Sequence, residues 1–131
     1  MKREDNWMKK VLIVVLCVVL LTGLLAGCGN SAYNNATKML EESGSSYYEI
    51  ASDDSYIKID TNPADMDDFY DPESTQLIQD VNTELGFPES LYEKMTSTSA
   101  LDGIQTDEND YFTVRWSYHP DHGLEIMYEE K

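Results

Sequence analysis

The sequence predicts a small α+β domain: an antiparallel sheet of three to four strands, ending in a C-terminal hairpin, packed against two helices in the order β(β)ααββ. Two patterns carry this expectation. Phe112, Val114, Trp116 and Tyr118, then Leu124, Ile126 and Tyr128, recur at every second position, which is the period of a strand with one buried face. Leu77, Ile78, Val81 and Leu85 instead recur at helical spacing, so a helix precedes that hairpin.

Taken in order, residues 1–27 form a leader, 28–46 a tether and 47–131 the folded domain. The stretch from Gly29 to Ser46 is rich in Asn, Ser, Gly and Ala, the composition of a flexible connection. Within it, the segment from Ala36 to Glu42 could form a short helix but offers too little apolar face to fold alone. Tyr48 and Ile50 alternate with polar residues, as a first strand or as extended tether. Ser52-Asp53-Asp54-Ser55 reads as a turn, and the run from Tyr56 to Asp60 as a strand with Ile57 and Ile59 inward. Asn62-Pro63 ends that strand.

Asp71-Pro72-Glu73 is a helix start: a side-chain acceptor at the cap, proline in the first turn, and an acid near the positive end of the dipole. Gly86 ends this helix. After Phe87-Pro88 comes a second short helix with Leu91, Tyr92 and Met95 on one side, and the segment from Thr96 to Gly103 is loop. In the C-terminal hairpin, folding back about Asp121 pairs Tyr118 with Leu124, Trp116 with Ile126 and Val114 with Tyr128. All six then share one face, as a stable register requires.

At the other end of the chain, Lys9 and Lys10 precede an almost unbroken apolar run from Val11 to Leu25, which closes on Leu25-Ala26-Gly27-Cys28. A charged flank, an apolar stretch and small residues before a cleavage point make a secretory leader. Glu4-Asp5 interrupts the flank, and Met8-Lys9-Lys10 would make a cleaner start. The alternative is an uncleaved membrane helix, for which the run from Val11 to Gly27 is only just long enough, about 20 residues being usual.

Residues 1–28 resemble the lipobox leader of bacterial prelipoproteins. The resemblance implies cleavage between Gly27 and Cys28, a diacylglyceryl group on the Cys28 sulfur, and attachment to the cell membrane facing outside the cytoplasm. Two acyl chains, such as palmitate, meet the requirement for stable anchoring at about 0.8 kcal/mol per buried CH₂. Gly29 is not the Asp that retains Gram-negative lipoproteins in the inner membrane. From Ile59-Asp60-Thr61-Asn62-Pro63 to Trp116-Ser117-Tyr118-His119-Pro120-Asp121 the chain is similar to an uncharacterised domain of Gram-positive lipoproteins, a likeness that implies no activity. A looser similarity, helices followed by strands behind a lipid anchor, is to small outer-membrane assembly lipoproteins, though the element order here departs from theirs.

Charge narrows the classes of partner. The 131-residue chain carries a formal net charge of −16, and residues 28–131 hold only five Lys/Arg against 23 Asp/Glu. Such a surface is repelled by nucleic acid and by anionic lipid. Cys17 lies in the leader, leaving Cys28 alone after processing, so the mature chain has no disulfide, thiol nucleophile or cysteine zinc site. Its stability rests on an apolar core.

Candidate chemistry is sparse. Asp60, Asn62, Asp65, Asp67, Asp68 and Asp71 offer closely spaced oxygens for calcium, but without the central glycine and terminal glutamate of a calcium hand. A solvated loop capping the next helix is the preferred explanation of them. His119 and His122 flank a tight turn and could bind zinc only if carboxylates came from elsewhere. Trp116, Tyr118 and Tyr128 fall on the core face of the hairpin, with Tyr111 outward beside Arg115. Arg115 lies diagonal to Glu125 and Glu129, which would pair with it. No nucleophile–base pair or phosphate loop is present in the sequence. The expectation is a non-enzymatic binding or envelope-interaction module, without cofactor, whose partners are the membrane, through Cys28, and an envelope protein or ligand. The alternative is a calcium-dependent accessory protein using Asp60, Asn62, Asp65 and Asp67.

Overall fold

The computed structural model describes residues 9–10, 28–67 and 70–131. Leu25, Ala26 and Gly27 of the leader, and Asp68 of the acidic run, lie outside the described residues. The elements are α1 (Cys28–Ser43), β1 (Tyr48–Ile50), β2 (Tyr56–Asp60), α2 (Pro72–Glu84), α3 (Glu89–Thr96), a 3-10 turn (Ala100–Asp102), β3 (Gln105–Glu108), β4 (Phe112–His119) and β5 (Gly123–Glu130). The five strands form one antiparallel sheet in the order β1-β2-β5-β4-β3. The α+β class therefore holds, with one strand and one helix beyond the range expected.

The C-terminal hairpin has the register its alternation dictates. Val114 faces Tyr128, Trp116 faces Ile126 and Tyr118 faces Leu124. Gly123 closes the turn at φ +73°. A Cβ there would lie 2.6 Å from Thr61 Oγ1, and that hydroxyl is fixed by the Leu124 backbone, whose N–H it accepts at 2.8 Å. Only glycine meets both conditions at once.

Helix α2 begins as its sequence signals require. Asp71 Oδ1 accepts from the Glu73 N–H at 2.8 Å, and Pro72 stands where no amide donor is needed. Asp71 Oδ2 accepts from the Tyr47 hydroxyl at 2.6 Å. This bond holds the Asp71 carboxyl below its ordinary range and pushes the Tyr47 phenol up to about 12. Gly86, at φ +79°, turns the chain out of the helix toward Phe87.

Behind the sheet, Ile57, Ile59, Val114, Trp116, Ile126 and Tyr128 pack against Leu77, Ile78, Val81, Leu91 and Met95. A polar side chain with matched partners enters this core. Asn82 on α2 is buried; its Oδ1 accepts from the Tyr128 hydroxyl at 2.6 Å and its Nδ2 points at Met95 Sδ, 3.6 Å away. The Trp116 indole N–H likewise donates to Thr98 Oγ1 at 2.8 Å.

Three expectations need correction. Residues 28–43 are not a tether: they form α1, whose Tyr33, Ala36 and Leu40 are buried in the same core. These positions share one helical face and find an apolar partner in the rest of the domain, which a reading of the segment in isolation could not supply. The order β(β)ααββ has no strand between the second helix and the hairpin, yet Gln105 to Glu108 is a strand without any apolar residue, held by pairing to the open edge of β4. Tyr118, assigned to the core, is exposed, while its partner across the ladder, Leu124, is buried.

Two tyrosines should respond oppositely to loss of their hydroxyls. Among the described residues the Tyr33 hydroxyl is the one buried side-chain polar atom without a hydrogen-bond partner, and burial, followed by repulsion from Asp54 and Glu130, pushes its pKa up to about 12. Tyr33→Phe should leave stability unchanged or raise it, whereas Tyr128→Phe strands the Asn82 oxygen and should cost about 1–3 kcal/mol. Urea denaturation of the chain from residue 28 onward measures both.

The same measurement tests the assignment of the two sheet faces. Trp116→Ala should cost about 3–5 kcal/mol, while Thr113→Ala, on the face away from the helices, should stay within about 0.5 kcal/mol of the parent. Equal costs would mean that the helices cover the other face.

Candidate functional site

The helices cover one face of the sheet and leave the other open. Along the middle of the open face, neighbouring strands align Glu49, Lys58, Met127, Arg115 and Thr106. Lys58 pairs with Glu125 at 3.0 Å, and this hydrogen-bonded carboxylate holds the ammonium above its ordinary range. Arg115 does not make the expected pairs with Glu125 or Glu129. Its Nη2 sits 3.0 Å from Met127 Sδ, directly across the ladder, and among the described residues it has no carboxylate within ion-pairing distance. Lys58, from the neighbouring strand β2, has already taken Glu125. Shallow hollows flank Arg115, one bounded by Thr106, Glu108 and Glu129, the other by Ile104, Ser117 and Met127.

The two ends of the sheet differ more sharply than its faces. At one end lie the β1–β2 turn, the β3–β4 turn and the start of α1. Gly29 packs there against Tyr111, so closely that a Cβ would come within 3.1 Å of the ring. Asn109 Nδ2 donates to the Leu85 carbonyl at 3.0 Å, bringing the α2–α3 junction to the same end. Tyr111 thus lies in the turn before β4, covering the helix start, rather than beside Arg115 on the open face.

At the other end are the connections 44–47, 61–71, 97–104 and 120–122. Met66, Tyr70, Leu101, Ile104 and Tyr118 belong to this end, and Tyr111 is the one exposed large apolar residue of the opposite end among those described. Leu101 is 98% exposed and Ile104 72%; side chains of this kind, so close in sequence, contribute nothing to the core. Among the described residues the four connections contain five Asp and no Lys or Arg.

The calcium and zinc candidates also meet here, and several of their side chains are already engaged. Asp60 Oδ1 accepts from the Asn62 N–H at 3.0 Å. Asn62 is buried: its Oδ1 accepts from the Met66 N–H, and its Nδ2 donates to the carbonyls of Met66 and Asp121. It is a clasp between the acidic loop and the hairpin turn, not an outward-facing ligand. Asp65 Oδ1 lies 2.7 Å from His122 Nδ1, and Asp67 stays exposed. The His119 and His122 rings stack with centroids 4.7 Å apart. Among the described residues no three His, Cys, Asp or Glu side chains converge where a metal ion could be held.

No protein-family model, curated protein or solved structure matches the chain. Sequence reasoning found the acidic loop and the histidines but missed Leu101 and Ile104 as surface residues. Their signal was local: they flank Asp102-Gly103 outside any periodic pattern, so no face was available to bury them.

The His122–Asp65 pair predicts a pH effect with a definite sign. Hydrogen bonding to Asp65 raises the His122 pKa, so the stability it adds is fully present below the unfolded value, about 6.5. That contribution is lost as pH rises through the higher folded value. In an NMR titration His122 should lose its proton at a pH above the ordinary histidine value, and Asp65→Asn should return it toward that value. An unchanged His122 titration in Asp65→Asn would show that the pair does not form in solution.

Proposed function

We propose that this chain is a lipid-anchored, extracytoplasmic bacterial membrane protein that acts as a non-enzymatic binding module. Membrane attachment follows from Leu25-Ala26-Gly27-Cys28, read as a lipobox. The observation that carries the binding reading is the polarity of the domain. Helix α1 starts at Cys28, and Gly29 packs against Tyr111, while the most exposed apolar side chains belong to the opposite end of the sheet. An anchor on Cys28 therefore leaves that end facing away from the lipid. Large apolar side chains exposed at one end of a domain so rich in charge support an interaction site there.

Mass spectrometry of the protein purified from membranes tests the anchor. The expected N-terminal residue is Cys28 carrying acyl chains, and Cys28→Ala should accumulate as an unprocessed precursor. A wild-type chain that keeps its leader and an unmodified Cys28 thiol would remove the basis for the lipid anchor.

A further inference from the structure

We propose that the end of the sheet opposite Cys28 docks a cationic segment of a partner protein that also carries apolar side chains. Leu101 and Ile104 are its apolar contacts, and the aspartates of the surrounding loops are its electrostatic contacts. The inference rests on the binding-module reading above and names the chemistry of the occupant.

Three observations select that chemistry. Leu101 and Ile104 are held out by a built turn and not by a loose one. The Ser99 N–H and hydroxyl both bond to the Asp102 carboxylate, at 2.7 and 3.0 Å, and Gln105 Nε2 donates to the Asp102 carbonyl at 2.7 Å. The turn thus presents two apolar side chains at fixed positions, which lowers the ordering cost of a contact.

The second observation is charge. The described residues of the connections 44–47, 61–71, 97–104 and 120–122 include five Asp and no Lys or Arg, and His122 faces only one of them, Asp65, so the end stays net acidic and would favour Lys or Arg on the arriving chain. Like charge disfavours a second copy of this protein, which would bring the same aspartates face to face. It equally disfavours an anionic lipid surface.

The third is position. With α1 starting beside Tyr111 at the opposite end, this patch is separated from the anchor by the length of the strands. A partner held in the envelope can reach it without displacing the domain.

The test uses the full chain in zwitterionic phosphatidylcholine nanodiscs, which keep it in a bilayer whether or not Cys28 is acylated. Two fluorescent peptides of equal length and charge, one alternating Lys with Leu and one alternating Lys with Ser, are compared by anisotropy. The Lys–Leu peptide should bind at least about tenfold more tightly. The Leu101→Ser/Ile104→Ser variant, altered only at exposed positions, should bind both peptides with the weaker affinity. A photoreactive group on the Lys–Leu peptide should label residues 61–71 and 97–104. Equal affinities for the two peptides, an unchanged double variant, labelling around residues 51–55 and 109–111, or crosslinks between two copies through position 101 would each overturn the proposal. Failure here leaves the acylation of Cys28 untouched, since that is read by mass alone.

Discussion

The hydrogen bond from the Tyr128 hydroxyl to Asn82 Oδ1 constrains more of this domain than any other contact. Both groups are buried, and inside an apolar core each would be costly alone. Burial drives the Tyr128 phenol above its ordinary range, which favours the protonated form that donates this bond. The bond ties α2 to β5, the central strand of the sheet. Asn82 Nδ2 then points at Met95 on α3, and apolar packing alone would allow the two helices to slide where this polar contact does not. Such a contact selects one arrangement among several of similar hydrophobic burial.

A second clasp organises the end of the sheet remote from Cys28. The Asn62 side chain holds the acidic loop to the hairpin turn by three backbone hydrogen bonds, and Thr61 holds β5 beside it. Residues that look like metal ligands in a linear reading are here the fasteners of two loops. Through Asn62 the backbones of Met66 and Asp121 are held to one side chain.

What the sequence revealed depended on whether an element carried its own periodicity. The hairpin of β4 and β5 was legible to the rung, because one face is apolar and a slip of a single residue would have turned it to solvent. The cap of α2 was legible because Asp71, Pro72 and Glu73 each act within one turn. Helix α1 was misread because Asn30, Ser31, Asn34 and Asn35 resemble a connector, although Tyr33, Ala36 and Leu40 carried the helical spacing throughout. Strand β3 had no signal of its own: Gln105, Thr106, Asp107 and Glu108 became a strand because β4 offered an unpaired edge. The same limit applies to the candidate surface, since Leu101 and Ile104 differ from core residues only in what surrounds them in space.

The strand order also governs when the molecule can become itself. β5, the last strand of the chain, lies at the centre of the sheet, between β2 and β4. Ile57 on β2 pairs with Tyr128 on β5, partners about seventy residues apart, and contacts so distant in sequence form late. A chain leaving the ribosome N-terminus first therefore holds β1, β2 and every described helix before it holds the strand that joins them. Until those residues emerge the sheet has no middle, and β2 and β4 stand without the strand that joins them.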